Sequence, residues 1–173
     1  MYSNKAPALS TTSFLLLAVI AMAAAAFYRL PLLDERPMHT DEAILAFKTA
    51  DFQTTGHFNY DPKDYHGPGL HYAALVWSKV AFWGAPDTWH GAQLRTVTAV
   101  CGLLLILATL LLSDALGRGG VVAAMLLAAV SPMQVYYSRY YIMETPLVLL
   151  VMIALVSFWR YSQGGGRLWL LLG

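Results

Sequence analysis

Two adjacent acids, Asp41 and Glu42, are the residues of this sequence best suited to acid–base chemistry. They precede a run of helix-forming residues at 43–47, and Thr40 is the expected N-cap of that helix. In the first helical turn, unpaired backbone N–H groups favour an ionised carboxylate, so Asp41 is available as a general base. The alternative, given equal weight, is that both acids only cap the helix.

A second group of polar residues surrounds a turn rich in glycine and proline within residues 60–72. Tyr65 and His66 lie at this turn and are candidates to bind a phosphate or a hydroxyl group. A divalent metal is an alternative, because this region holds imidazole and carboxylate side chains of the kind that bind metals: His39, Asp41, Asp64, His66 and His71. However, the separation of His66 and His71 across the turn matches no recognised ligand spacing, so a metal is the less favoured interpretation.

Three charged residues lie beside apolar segments: Arg95, Arg139 and Glu144. Arg95 is either an anchor at the membrane interface or a phosphate contact. Arg139 could bind a lipid phosphate in a bidentate manner, or it could pair with Glu144. Ionisable groups this close to a bilayer usually face a cavity and have a partner, so both interpretations of Arg139 stay open.

The composition indicates what holds these groups in place. Of the 173 residues, 58% are hydrophobic and only 12% are charged, with a formal net charge of +1. This balance argues against a disordered or nucleic-acid-binding chain. The single cysteine, Cys101, excludes a disulfide framework within the chain and a cysteine-based metal site.

The apolar residues are concentrated in stretches that are nearly free of charge. We therefore predict an all-α, polytopic membrane protein with about four spans, at residues 12–28, 96–113, 119–137 and 146–160. Residues 29–95 form an outer segment, and residues 168–173 resemble the start of a fifth span. The apolar segment from Leu70 to Trp83 is too short to span, so we expect a juxtamembrane helix there.

The basic residues predict the orientation in a cell (inner) membrane. With the N-terminus inside, Lys5, Arg118, Arg160 and Arg167 all face the cytoplasm. The outer segment then carries eight of the ten acidic residues and all five histidines, so the chemistry is expected to face outward. The first span is either a retained anchor, which we favour, or a cleaved signal peptide.

The order of these features resembles the N-terminal part of the GT-C membrane glycosyltransferases, of the protein O-mannosyltransferase and aminoarabinose-transferase type (glycosyltransferase family 39). The segments 38–43 and 65–69 are similar to those of prokaryotic members described as flippase-activity-associated proteins. The resemblance covers roughly residues 12–160 and depends on an ordered set of features: Asp41-Glu42, the turn 66–70, Arg95, Ser131-Pro132, Ser138-Arg139 and Glu144.

The resemblance implies transfer of a sugar from a polyprenyl-phosphate carrier to an acceptor hydroxyl on the outer face. Asp41 would be the base, and Glu42 would orient the acceptor. Arg139 would neutralise the phosphate, while Glu144 stands where the broader superfamily more often has aspartate. We group His39, Tyr65, His66, Arg95, Arg139 and Glu144 as substrate-binding candidates.

Members of this group have many more spans, so we expect this chain to be a fragment that is inactive alone. Two other classes are a non-catalytic partner of lipid-carrier translocation and a transporter fragment. Transporter sites usually lie at mid-membrane in broken helices. The predicted spans hold no Asp, Glu, Lys, Arg or His in their interiors, which disfavours the transporter.

Overall fold

The structure is a computed structural model that describes residues 9–63 and 66–172. This part of the chain is helical and contains no strand, so the all-α prediction is confirmed. The helices are α1 (Thr11–Arg29), α2 (Thr40–Thr55), α3 (Gly69–Val80), α4 (Gly91–Ala108), α5 (Ser113–Val130), α6 (Pro132–Ser138), α7 (Glu144–Ser162) and α8 (Arg167–Leu172). Short 3₁₀ helices occupy Pro86–Thr88 and Thr109–Leu112.

Three helical stretches of the described residues are long and apolar enough to cross a membrane. They are Thr11–Arg29, Gly91–Val130 and Glu144–Ser162. The second has 40 residues; it contains the predicted span 96–113 and the part of the predicted span 119–137 up to Val130. It is interrupted at Gly117, whose φ of 67° and ψ of 166° lie in a region open essentially to glycine alone. Large apolar side chains such as Leu16, Leu127 and Leu155 are exposed on these stretches, as expected for a membrane-embedded protein.

Hydrogen bonds between the helix ends show that the chain reverses direction at Gly117. Arg118 Nη1 donates to the carbonyl of Leu9, just before α1, at 2.9 Å. Arg29 Nη1, at the end of α1, donates to the carbonyl of Ala129 at 2.8 Å. The second half of α5 therefore runs in the same direction as α1, and α4 runs against both.

The last long helix runs in the opposite direction to α1. Near its end, Arg160 Nη2 donates to the carbonyl of Leu111 at 2.7 Å and also pairs with Asp114. The long helical stretches thus extend between two ends of one bundle. We call the end that holds Arg29, the start of α2 and residues 139–144 the polar end.

One predicted boundary is wrong. The third predicted span, 119–137, is divided because α5 ends at Val130 and α6 begins at Pro132. Ser131 between them has a φ of −59° and a ψ of 118°, because the residue before a proline is disfavoured in the helical region. At the other end of the chain α8 is helical but short, so a fifth span remains a prediction.

Two clusters of buried residues hold the helices together. The first joins α1, α4 and α5 through mostly small side chains, which permit close helix approach in a membrane: Ala18, Ala21, Ala25, Ile106, Val121, Met125 and Ala129. The second joins α2, α3, α4 and the segment before α7: Leu45, Leu70, Ala74, Leu94, Val97 and Tyr141. The second cluster lies at the polar end and positions the candidate site.

Candidate active site

The N-cap of α2 is His39, so the prediction of Thr40 is wrong by one residue. The His39 Nδ1 atom accepts the backbone N–H of Asp41 at 3.3 Å, and Glu42 Oε2 accepts the backbone N–H of His39 at 3.0 Å. This is a capping box in which an imidazole replaces the usual hydroxyl. The exchange of hydrogen bonds needs an acceptor three residues before Glu42, a position that His39 occupies and Thr40 does not.

Glu42 forms a buried bidentate ion pair with Arg95 of α4. Arg95 Nε lies 2.8 Å from Glu42 Oε1, and Arg95 Nη2 lies 2.9 Å from Oε2. Glu42 is 0% exposed and Arg95 is 1% exposed. Two charges removed from water in this manner are stable only when their remaining donors and acceptors are also satisfied.

Arg95 meets that requirement through backbone carbonyls. Its Nη1 donates to Leu33 at 2.6 Å and to Arg36 at 2.8 Å, and its Nη2 donates to Pro37 at 3.2 Å. A guanidinium has five N–H groups, and all five of Arg95 are therefore in use. Arg95 holds the loop after α1 against α4 and has no donor left for a substrate phosphate.

Glu42 has three further donors around it. Arg36 Nη2 lies 3.1 Å from Oε2, the backbone N–H of Tyr141 donates to Oε1 at 2.9 Å, and His39 completes the set. Burial by itself raises the pKa of Glu42, but the hydrogen bonds from Arg95, Tyr141 and His39 outweigh burial and lower it. Glu42 is therefore a buried, ionised carboxylate that joins α2, α4 and the segment before α7.

Asp41, its neighbour, is in the opposite situation. Its side chain is 70% exposed, and Oδ2 lies 3.5 Å from His39 Nδ1. Successive residues of an α-helix are rotated by about 100° about its axis, so Asp41 lies on a different face from Glu42. Asp41 thus presents a carboxylate to solvent at the polar end, while Glu42 anchors the helix that carries it.

Arg139 makes contacts that the sequence did not indicate. Its Nη1 donates to the carbonyls of Tyr28 at 3.1 Å and Arg29 at 3.3 Å, and its Nη2 donates to Leu32 at 3.3 Å. No ion pair joins it to Glu144, although both residues lie within the described part of the chain, so the structure does not contain this alternative of the two left open by the sequence. Two of its N–H groups, on Nε and Nη2, form no hydrogen bond with described residues.

His66 and Glu144 line one cavity of about 660 Å³. Its other walls are largely apolar and come from α3, α4, α7 and the residues just before α3 and α7: Gly67, Gly69, Leu70, Ala73, Cys101, Met143, Pro146, Leu147, Leu149 and Leu150. His39 and Asp41 are not on this lining. Tyr65 and Asp64, also singled out from the sequence, lie outside the described residues.

The candidate metal ligands that the structure describes are His39, Asp41, His66 and His71. Among the described residues, no group of three or more His, Cys, Asp or Glu side chains is arranged to hold a metal ion. His71 is fully buried, and its Nδ1 lies 2.7 Å from Thr49 Oγ1. Burial, followed by the positive charges of Lys48 and His66, lowers the pKa of His71 to about 4, so it is neutral at neutral pH.

His71 belongs to a buried polar network that sequence reasoning missed. Thr49 Oγ1 also contacts the Tyr141 hydroxyl at 2.8 Å, and it donates to the Leu45 carbonyl at 2.7 Å. The sequence held a signal for this network. The buried residues of α2 recur at helical spacing, and this stripe includes Glu42 and Thr49 as well as apolar side chains.

No family model, curated protein or solved structure matches the chain. The functional interpretation therefore depends on the geometry of the polar end.

Proposed function

We propose that this chain forms the acceptor-activating part of a membrane glycosyltransferase, which moves a sugar from a polyprenyl-phosphate donor to an acceptor hydroxyl on the outer membrane face. The observation that carries the proposal is the contrast between Asp41 and Glu42. The Asp41 carboxylate is exposed and has only His39 close to it, whereas the Glu42 carboxylate is buried and bound by five donor atoms. Such an arrangement supplies one free base on a rigid support.

In the proposed reaction Asp41 removes the proton of the acceptor hydroxyl while the hydroxyl oxygen attacks the anomeric carbon of the donor sugar. The bond between that carbon and the phosphate oxygen breaks, and its electron pair leaves with the lipid phosphate. Attack from the opposite side inverts the anomeric configuration, as in inverting glycosidases. A phosphate is a good leaving group, so a single base is sufficient.

Glu42 and Arg95 act as positioning residues in this proposal. Their ion pair fixes the first turn of α2 against α4, which sets the place of the Asp41 carboxylate. Arg139 is the better candidate for the donor phosphate, because it keeps N–H groups that the described residues do not occupy.

The cavity lined by His66 and Glu144 suits an amphiphilic donor. Its walls are mostly aliphatic, as a polyprenyl chain requires, and His66 could contact the headgroup. The chemistry of the cavity is thus compatible with the substrate class that the reaction needs.

The test is the substitution Asp41→Asn in the full-length protein that contains this chain. Membranes carrying the variant are assayed for transfer from a panel of radiolabelled polyprenyl-phosphate sugars. We expect transfer to fall by at least about 100-fold, the usual contribution of a general base. Asp87→Asn is the matched control, because Asp87 is another exposed aspartate of the same segment, and it should retain activity.

Unchanged transfer by Asp41→Asn would show that Asp41 only caps α2. The alternative of a non-catalytic partner in lipid-carrier translocation would then be favoured. The same membranes should be checked for the amount of inserted protein, so that a loss of activity is not confused with a loss of protein.

A further inference from the structure

Another arginine at the polar end, Arg29, lacks an acidic partner among the described residues. It is 0% exposed, and its Nη atoms donate to the carbonyls of Ala25, Ala128 and Ala129 at distances between 2.8 and 3.3 Å. Its Nε is buried and has no hydrogen-bond partner. A guanidinium remains charged in proteins, so this site holds a buried positive charge without a counter-charge from the described residues.

Arg29 lines a cavity of about 250 Å³ between α1, α4, α6 and α7. This volume is far larger than a single water molecule needs. Gly102 forms part of the wall, and a Cβ atom at this position would lie 3.2 Å from Arg29 Nε and 2.8 Å from the Cβ of Ser138. Glycine therefore permits close packing around Arg29 Nε, which a larger residue at position 102 would disturb.

Glu144 lies on the same cavity wall. It is exposed at the first position of α7, and no ion pair joins it to Arg29 or to Arg139. One cavity thus presents a cation and an anion that do not neutralise each other. The rest of its lining is largely apolar: Leu105, Met133, Tyr137 and Val148 with Gln134 and Thr145.

We propose that this cavity binds the headgroup of a zwitterionic phospholipid that carries a primary ammonium group. The phosphodiester lies at Arg29 and receives the Nε hydrogen bond, and the ammonium lies at Glu144. The acyl chains follow the exposed apolar faces of the neighbouring helices. This site is separate from the Asp41 carboxylate and would fasten α1, α4 and α7 to one another through a lipid.

The proposal is tested by native mass spectrometry of the full-length protein in detergent. Phosphatidylethanolamine, phosphatidylcholine and phosphatidylglycerol with identical acyl chains are added in turn. We expect phosphatidylethanolamine to bind about tenfold more tightly than phosphatidylglycerol, because only the former offers a charge-assisted hydrogen bond to Glu144. Phosphatidylcholine should bind more weakly than phosphatidylethanolamine, since its quaternary ammonium donates no hydrogen bond.

Two variants test which protein charge binds the ammonium and which binds the phosphodiester. Glu144→Gln should weaken phosphatidylethanolamine binding about tenfold and leave phosphatidylglycerol binding unchanged. Arg29→Gln should weaken the binding of all three lipids. Glu35→Gln is the control, because Glu35 is an exposed glutamate near the same end that does not line the cavity.

Three results would overturn the proposal. The first is a preference for phosphatidylglycerol, which would indicate a purely anionic ligand. The second is an equal effect of Glu144→Gln and Glu35→Gln, a comparison that stays informative if Arg29→Gln does not fold. The third is displacement of bound phosphatidylethanolamine by an equal concentration of polyprenyl phosphate, which would assign the cavity to the donor.

Discussion

The substitution Glu42→Gln should destabilise the protein severely although it preserves the shape of the side chain. The amide places an NH₂ group where an oxygen now accepts, and it faces donors on every side: Arg95, Arg36 and the backbone N–H groups of His39 and Tyr141. It also leaves the guanidinium of Arg95, which is 1% exposed, without a carboxylate.

The size of the effect follows from the burial of the pair. Removing one partner of a buried ion pair typically costs about 3–5 kcal/mol, because the other charge stays buried and unpaired. That is a large part of the ~5–15 kcal/mol that holds most domains folded. The double variant Glu42→Leu with Arg95→Met should be less destabilised than the sum of the two single variants, by up to about 3 kcal/mol, because it leaves no unpaired charge.

The pH dependence of the free energy of unfolding gives a second test of the Glu42–Arg95 pair. The folded state holds the pKa of Glu42 below its ordinary value of 4.5. The stability that the ionised form contributes is therefore complete above pH 4.5 and is lost as the pH falls through the lowered pKa. Glu42→Gln lacks this group, so the difference between wild type and variant should narrow in acid.

Unfolding in mixed micelles with increasing dodecyl sulfate, followed by far-ultraviolet circular dichroism, measures these free energies. Glu35→Gln is the matched control, since Glu35 is exposed and near the same end of the bundle. If Glu42→Gln unfolded within about 0.5 kcal/mol of wild type, as surface substitutions do, the reasoning about the buried pair would be refuted.

Three further predictions concern other parts of the bundle. In the wild type, stability should fall as the pH is lowered from 6.5 to about 4, because His71 is protonated in the unfolded chain but not in the folded one. His71→Asn should remove this fall, and unfolding measured across this pH range checks it. Thr49→Val should lower the free energy of unfolding by about 1–3 kcal/mol in the same micelle assay, because the buried partners of the Thr49 hydroxyl lose their hydrogen bonds. Thr54→Val, at an exposed position, should have little effect. Gly117→Ala should lower stability by about 1–3 kcal/mol, because the φ of Gly117 is 67°. Gly119→Ala is the control: a Cβ atom at this position meets open space, so the substitution should be neutral or stabilising. Equal effects of the two substitutions would contradict the role of the turn at Gly117.

Much of the fold could be predicted because its signals are local. Runs of apolar residues long enough to cross a bilayer appear directly in the sequence, and so does the polar segment between the first two of them. The start of α2 near residue 40 also followed from short-range patterns. The N-cap was misplaced by one residue because imidazole is an uncommon cap.

The sequence by itself thus determined that this is an all-α membrane protein with its acids and histidines gathered in one segment, since hydropathy is a property of consecutive residues. It did not decide which of two adjacent acids is free. That depended on Arg95 and Tyr141, which lie 53 and 99 residues from Glu42 and reach it only when α4 and the segment before α7 pack against α2. The tertiary structure alone decided it, because a carboxylate becomes anchored or available according to the donors that folding brings around it.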